Sequence, residues 1–92
     1  FLSNVNIDVA IMATSAYSYK DGFSCAIREE AELKSYVISR AAKRIMLLDS
    51  SKLDKTLSYT FAKIENIDVL VVDEFFPQEL RQEFKRKGVR VI

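Results

Sequence analysis

Asp49-Ser50-Ser51-Lys52 puts a carboxylate, two hydroxyls and an ammonium in four consecutive positions. A lysine can donate to a phosphate and a carboxylate can accept from sugar hydroxyls, so this tail has the chemistry of a binding edge for a phosphorylated sugar. A plainer reading stands beside it. Asp49 can cap the Ser50–Lys52 turn through an Asx hydrogen bond, and the residue types give the two readings equal weight. A second polar tail, Thr14-Ser15, and a third, the acid Asp73, also follow apolar runs. Glu30 and Lys34 are an i, i+4 pair in the favoured order, which on a solvated helix face contributes only about 0.2–0.5 kcal/mol.

Other polar residues carry less. Asp73 reads first as part of the turn before Pro77, and Lys52 alone reads as a solvated lysine. The sequence has no histidine, which removes the commonest general base and metal ligand. Its one cysteine, Cys25, has no histidine to activate it and reads as a small buried residue. A zinc site from one cysteine and carboxylates would be unusual. Tyr17 and Tyr19 suit either stacking on a sugar or covering a core edge.

These groups need elements to position them. Residues 1–6 read as a lead-in with turn character at Asn4 and Asn6. Ile7–Ala13 is nearly all apolar, as an interior strand of a parallel sheet is, and residues 44–49 repeat that pattern. Ile67–Asp73 is a third such strand. Residues 17–28 lack periodicity and read as a loop with a turn at Lys20–Phe23, and a loop of that length is more often functional than idle. Glu29–Lys43 reads as a helix with an apolar stripe at Leu33, Val37 and Ala41, acids at its start, and Arg40, Lys43 and Arg44 at its end. Residues 53–59 are turn-like, and residues 60–64 read as a short strand. Pro77 opens a second helix with Leu80 and Phe84 on its buried stripe, Lys85–Lys87 in its last turn and Gly88 at its end. Val89–Ile92 closes the chain as a strand.

Strand and helix alternate, which implies parallel pairing through right-handed crossovers. The fold class is therefore α/β, a mostly parallel sheet with flanking helices. In such a sheet ligands gather beyond the carboxyl ends of the strands. Ser15, Asp49 and Asp73 should then share one rim, with Lys52 reaching over it.

Composition sets outer bounds. Ninety-two residues, 49% hydrophobic and 29% charged, make one globular domain or part of one. Fourteen basic and 13 acidic residues give a net charge of +1, which offers no electrostatic case for nucleic-acid binding by this segment. No apolar run approaches the roughly 18 residues of a membrane span, and no signal peptide is evident. A lone cysteine fits a reducing, cytoplasmic setting. The chain starts at Phe1, already close to a strand, and reads as a piece of a longer protein whose half-sheet leaves an unpaired edge.

Three blocks, Glu29–Lys34, Leu48–Lys52 and Ile67–Asp73, with the spacing between them, resemble the carboxyl-terminal sensor domain of DeoR-family transcriptional repressors. The resemblance runs from about residue 7 to 92. It implies a partial Rossmann-like domain related to ribose-phosphate isomerases and CoA-transferases. It also implies a non-catalytic sensor that binds a phosphorylated sugar or related metabolite, needs no cofactor, works as a homo-oligomer, and reaches DNA only through an amino-terminal winged helix-turn-helix missing here. Glu30, Lys34, Asp49 and Lys52 are the effector-site candidates it carries over, with Ser15 at the strand end. Two departures stand out. The family's Gly-Ala-Asp-Gly stretch is Ala13-Thr14-Ser15-Ala16 here, so Ser15 replaces an acid. The family's glycine-rich, threonine-containing phosphate loop is absent and should lie upstream of Phe1. The rival reading is a sugar-phosphate isomerase fragment, with an acid–base pair drawn from Glu30 and Lys34 or Asp49. A third is a plain assembly module.

Overall fold

A computed structural model describes residues 5–92; Asn4 and the rest of the lead-in before Val5 lie outside the described residues. Two sheets share one core. The larger has four parallel strands in the order β1–β4–β6–β7: β1 is Ile7–Ala13, β4 Ala41–Leu48, β6 Val69–Val72 and β7 Arg90–Val91. The smaller is antiparallel, in the order β2–β3–β5, with β2 Ala16–Ser18, β3 Gly22–Cys25 and β5 Tyr59–Ala62. Helix α1 is Arg28–Arg40, helix α2 is Gln78–Arg86, and single 3-10 turns cover Ser50–Lys52 and Ile64–Asn66. The parallel α/β reading therefore holds for the central sheet. Among the described residues no helix is long and apolar enough to cross a membrane.

Residues 17–28 are not an irregular loop. They hold the β2–β3 hairpin and deliver Tyr17 and Phe23 to the core, side by side with ring centroids 4.8 Å apart. Both strands are too short for their alternation to stand out, and β3 is buried at every position. Gly22, at φ +84°, closes the turn with its Cα against the Ala62 carbonyl, a place only glycine fits. The expected short strand at 60–64 exists as β5 but pairs antiparallel with β3, outside the parallel sheet.

Helix α1 ends at Arg40, not Lys43. Ala41, Ala42 and Lys43 are good helix formers, but the ladder to β1 pairs Ile7 with Ala41 and Val9 with Lys43. Tertiary pairing outweighs a local preference worth tenths of a kcal/mol per residue. Arg44 accordingly serves no helix end. It lies in β4, where its amide and guanidinium all bind the Asp68 carboxylate, the shortest contact being 2.8 Å. The helix stripe is also rotated from its expected place. Ala31 and Ile38 are buried, whereas Leu33 is 53% exposed.

Helix α2 behaves as its sequence suggests. Pro77 caps it, Phe84 is fully buried, and Gly88 at φ +87° turns the chain so that the Gly88 and Val89 amides donate to Lys85 and Phe84 carbonyls. Phe84 meets Tyr17, Phe23 and Phe76 at centroid distances of 5.4, 6.3 and 6.4 Å. This aromatic cluster joins the hairpin to α2 over Met46, Leu48 and Leu70 of the large sheet.

Among the described residues the large sheet is covered on one face only. Along β4, Met46 is 0% exposed, Leu47 41% and Leu48 2%. The apolar runs had implied strands buried on both faces, and β1 in particular is an edge strand rather than an interior one.

Candidate functional site

The parallel register lines up the strand ends. Ala13 pairs with Leu47 and Leu47 with Val71, so Ser15, Asp49 and Asp73 each follow their strand by the same two-residue step. All three acids or hydroxyls thus leave the sheet at its carboxyl rim. An open cleft of about 400 Å³ lies there, lined by Ala13, Thr14, Leu47, Leu48, Asp49, Lys52, Val71, Val72 and Asp73. Its lining is mostly apolar, with Thr14, Asp49, Lys52 and Asp73 as its polar residues. A larger groove, about 650 Å³, separates α1 from β5 but holds none of the candidate residues, and its charged pair, Arg28 and Glu32, is self-satisfied at 3.1 Å. The rim cleft is the better site because it gathers ionisable groups at the strand ends, where an α/β sheet offers a crevice.

Asp49 does what the plainer reading proposed. Its Oδ1 accepts from the Ser51 amide at 2.8 Å, and the Lys52 amide donates to its carbonyl at 2.9 Å. That Ser51 hydrogen bond, with Lys52 and Lys55 nearby, holds the Asp49 carboxyl below the usual carboxylate range. A capping carboxylate remains exposed, so its second oxygen stays available to a ligand.

Asp73 is the residue that sequence reasoning undervalued. Its main chain does form the turn before Pro77, with the Phe76 amide donating to its carbonyl. Its side chain, however, reaches across to the turn after β4: Oδ2 accepts from the Ser50 amide at 3.1 Å and the Ser50 hydroxyl at 2.9 Å. Oδ1 is shielded and has no partner among the described residues. Arg81 Nη2 fixes the other end by donating to the Asp73 carbonyl at 2.8 Å. The signal was legible in principle, since Asp73 follows Val71 as Asp49 follows Leu47.

These bonds have an electrostatic consequence. Two successive amides at the start of a turn form a natural cradle for an anion. Here the protein's own carboxylates fill it, Asp73 on Ser50 and Asp49 on Ser51. The turn is therefore a place for hydroxyl donors, and Lys52 is the cation lining the cleft.

Lys34 and Glu30 stand beside the cleft rather than in it. Lys34 Nζ is 2.9 Å from Glu30 Oε1 and donates to the Ala13 carbonyl at 2.9 Å, with the Phe61 ring 5.0 Å below. At 19% side-chain exposure it is no solvated surface lysine. It ties α1 to the end of β1, one residue from Thr14. Ser15 is exposed at the bend into β2 and does not line the cleft; Thr14 does, with its hydroxyl turned back to the Ala16 carbonyl at 2.8 Å. Cys25 is buried, its Sγ 3.5 Å from the Ile27 carbonyl. Among the described residues no three His, Cys, Asp or Glu side chains converge as a metal site would require.

Comparison with known proteins bears on this rim. The family model described as the DeoR C terminal sensor domain matches residues 1–74. The HTH-type transcriptional regulator GlpR of Haloferax volcanii is 29% identical over 92 residues, 100% of this chain and 36% of that protein. A putative aga operon transcriptional repressor of Escherichia coli O157:H7 is 28% identical over 91 residues, 99% of this chain and 34% of its own length. The HTH-type transcriptional repressor GlcR of Bacillus subtilis is 31% identical over 91 residues, again 99% of this chain and 35% of the relative. The chain spans about a third of the length of these curated relatives.

Proposed function

The chain belongs to the family of DeoR carboxyl-terminal sensor domains, and from that premise we propose that it is the later part of the effector-sensing domain of a transcriptional repressor. In this reading residues 1–92 supply part of a sensor, and the remaining sensor residues and a winged helix-turn-helix precede it. The effector is a phosphorylated sugar or related metabolite. Its hydroxyls meet Asp49 and its charge meets Lys52, while Lys34 and Glu30 fix the neighbouring strand end and Ser15 flanks the entrance. The whole protein is cytoplasmic, oligomeric and non-catalytic, and touches DNA only through its amino-terminal module.

The observation that carries this reading is the meeting of Asp49, Lys52 and Asp73 around one apolar cleft at the rim of a parallel sheet. The occupied turn amides refine it: the phosphate of the effector sits away from Ser50 and Ser51, toward Lys52 or toward upstream residues. Isomerase chemistry fits less well. It would take its acid or base from Glu30, which is engaged by Lys34, and the relatives are named as regulators.

The test is induction by the complete regulator. Lys52→Ala should abolish release of the operator by sugar phosphates while leaving operator affinity unchanged, measured by fluorescence anisotropy across a panel of hexose and pentose phosphates. An unaltered effector response in that variant would remove Lys52 from the site. Turnover of a sugar phosphate by the complete protein would favour the enzyme.

A further inference from the structure

We propose that a second anion site lies at the amino rim of the large sheet, where Lys20, Lys63 and Lys87 converge beside Tyr19 on a pocket that takes a phosphate dianion. The site goes beyond the effector reading and does not depend on it. Lys63 precedes β6 and Asp73 follows it, so the pocket and the effector cleft sit at opposite ends of that strand.

Three separate elements build the pocket, which measures about 230 Å³. The β2–β3 turn supplies Tyr19, Lys20 and Gly22, the Ile64–Asn66 turn and the residue before it supply Lys63 and Glu65, and the end of α2 supplies Lys87. Each backbone is held by its own hydrogen bond. The Asp21 amide donates to the Ser18 hydroxyl at 3.0 Å, the Lys63 amide to Asn66 Oδ1 at 2.8 Å, and the Lys87 amide to the Glu83 carbonyl at 3.2 Å. Gly22 has a further part here. A Cβ on it would lie 3.1 Å from Lys63 Cδ, so the lysine stem packs across the turn while its ammonium stays in water.

The charges around this pocket do not cancel. Three ammoniums meet one carboxylate, Glu65, which leaves the lining at +2. The ion pairs among the described residues use Arg28, Lys34, Arg44 and Arg86, and none of these lysines. Neighbouring acids are committed elsewhere: Asp21 Oδ2 accepts from the Thr56 hydroxyl at 3.0 Å, and Glu83 is paired with Arg86. Lys87 has a plain reason for its place, since a cation suits the end of a helix. That reason does not extend to Lys20 or Lys63, which the fold brings beside it from distant parts of the chain. Like charges gathered at one mouth repel, and an anion of matching charge relieves them.

Size and charge choose the ligand. A water occupies about 30 Å³ of liquid, so the pocket has room for roughly seven or eight waters. That accommodates one tetrahedral oxyanion with part of its hydration shell, but not a whole sugar phosphate. A dianion matches the +2 lining, whereas a carboxylate or a phosphodiester brings a single charge. Lysines act on a phosphate as point charges from several directions, and three of them close on one place here. A duplex instead needs cations spread along its backbone. Bound phosphate ties the hairpin to α2 beside the Tyr17–Phe23–Phe84 cluster, and it stabilises the fold in step with its concentration.

The experiment uses the complete gene product carrying Lys52→Ala, which removes the cation of the other rim. Calorimetric titration with inorganic phosphate, against chloride at matched ionic strength, should still find one site per chain. Lys20→Ala, Lys63→Ala and Lys87→Ala should each weaken it about 1.4- to 5-fold, the range of a single exposed charge pair, and the triple variant should bring it below detection. Without phosphate each single change should leave the thermal midpoint unchanged or raise it, because it relieves repulsion; a lysine that only packs would lower it. Phosphate affinity that the triple variant keeps, or that Lys52→Ala alone removes, overturns the proposal. Glycerol phosphate separates the sources: equal affinity assigns the pocket to the free ion, and tighter binding assigns it to the terminal phosphate of a larger metabolite. A triple variant that loses non-operator duplex while keeping phosphate makes the patch a nucleic-acid surface and overturns the site. Induction by sugar phosphates is scored apart, in the triple variant with Lys52 restored. Retained induction leaves two separate sites, and lost induction merges them and overturns the proposal.

Discussion

Single residues in this protein are mostly tied down by the main chain of another element. Asp68 is the clearest case, receiving the Arg44 amide and guanidinium at the amino rim. Those hydrogen bonds hold its carboxyl below the usual range. A depressed acid contributes stability above its unfolded value, near pH 3.9, and loses it as pH falls through the folded value. Asp68→Asn should therefore lower stability at neutral pH by roughly 1 kcal/mol and make the acid limb below about pH 4 shallower, as read by urea titrations from pH 2.5 to 7. Asp49 and Glu83 are shifted the same way, so part of that limb should survive. Tyr17 presents the opposite case. Burial pushes its hydroxyl up to about 12, and the oxygen has no partner among the described residues. An unmet buried hydroxyl costs about 1–3 kcal/mol, so Tyr17→Phe should raise the thermal midpoint. The neutral phenol also means stability is full below pH 10 and falls as pH rises toward 12; the Phe variant should lack that component of the alkaline loss. A Tyr17→Phe protein that melts lower would show that the hydroxyl is satisfied.

At the scale of elements, the informative residues are those where local preference and packing disagree. The stripe Leu33–Val37–Ala41 is regular in the sequence, yet α1 turns Ala31 and Ile38 inward because it must pass straight into β4 at Ala41. Ile38→Ala should cost about 2–5 kcal/mol and Leu33→Ala less than about 0.5 in this chain. Equal losses would restore the sequence-based stripe. The hairpin gives a second prediction. A Cβ on Gly22 would sit 2.4 Å from the Ala62 carbonyl, at a φ of +84° that side chains rarely adopt. Gly22→Ala should destabilise by more than about 1 kcal/mol and separate β3 from β5, visible as faster exchange of Phe23 and Ser24 amides. The ends of α2, by contrast, were legible, because Pro77 and Gly88 act through their own backbones and need no neighbour.

At the scale of the whole molecule, the two faces of the large sheet differ. Among the described residues, one face gathers the three connections between its strands around Tyr17, Phe23 and Phe84, and the other leaves Val9, Ile11 and Leu47 exposed. Exposed apolar patches of this kind associate in water. The isolated chain should accordingly form concentration-dependent oligomers that weaken on cooling, since hydrophobic association does so. Sedimentation velocity at two temperatures checks this, and a compact monomer at millimolar concentration would contradict it.

Of the fold, the parallel strands, their crossovers and both helices followed from apolar runs and helix-end residues, which act locally and so can be seen in one dimension. Of the candidate site, the placement of Asp49 and Lys52 at the rim was legible because they sit directly behind an apolar strand. The partition of apolar side chains between a covered and an open face was not, because both faces need the same residues and only the strand order says which is filled. Nor was the Asp73–Ser50 bond, which spans 23 residues and exists only because β4 and β6 lie side by side in register. Residue chemistry thus determined which groups could bind and let Asp49 cap its own turn, and tertiary pairing decided that a second carboxylate, Asp73, would join it where an anion could have gone.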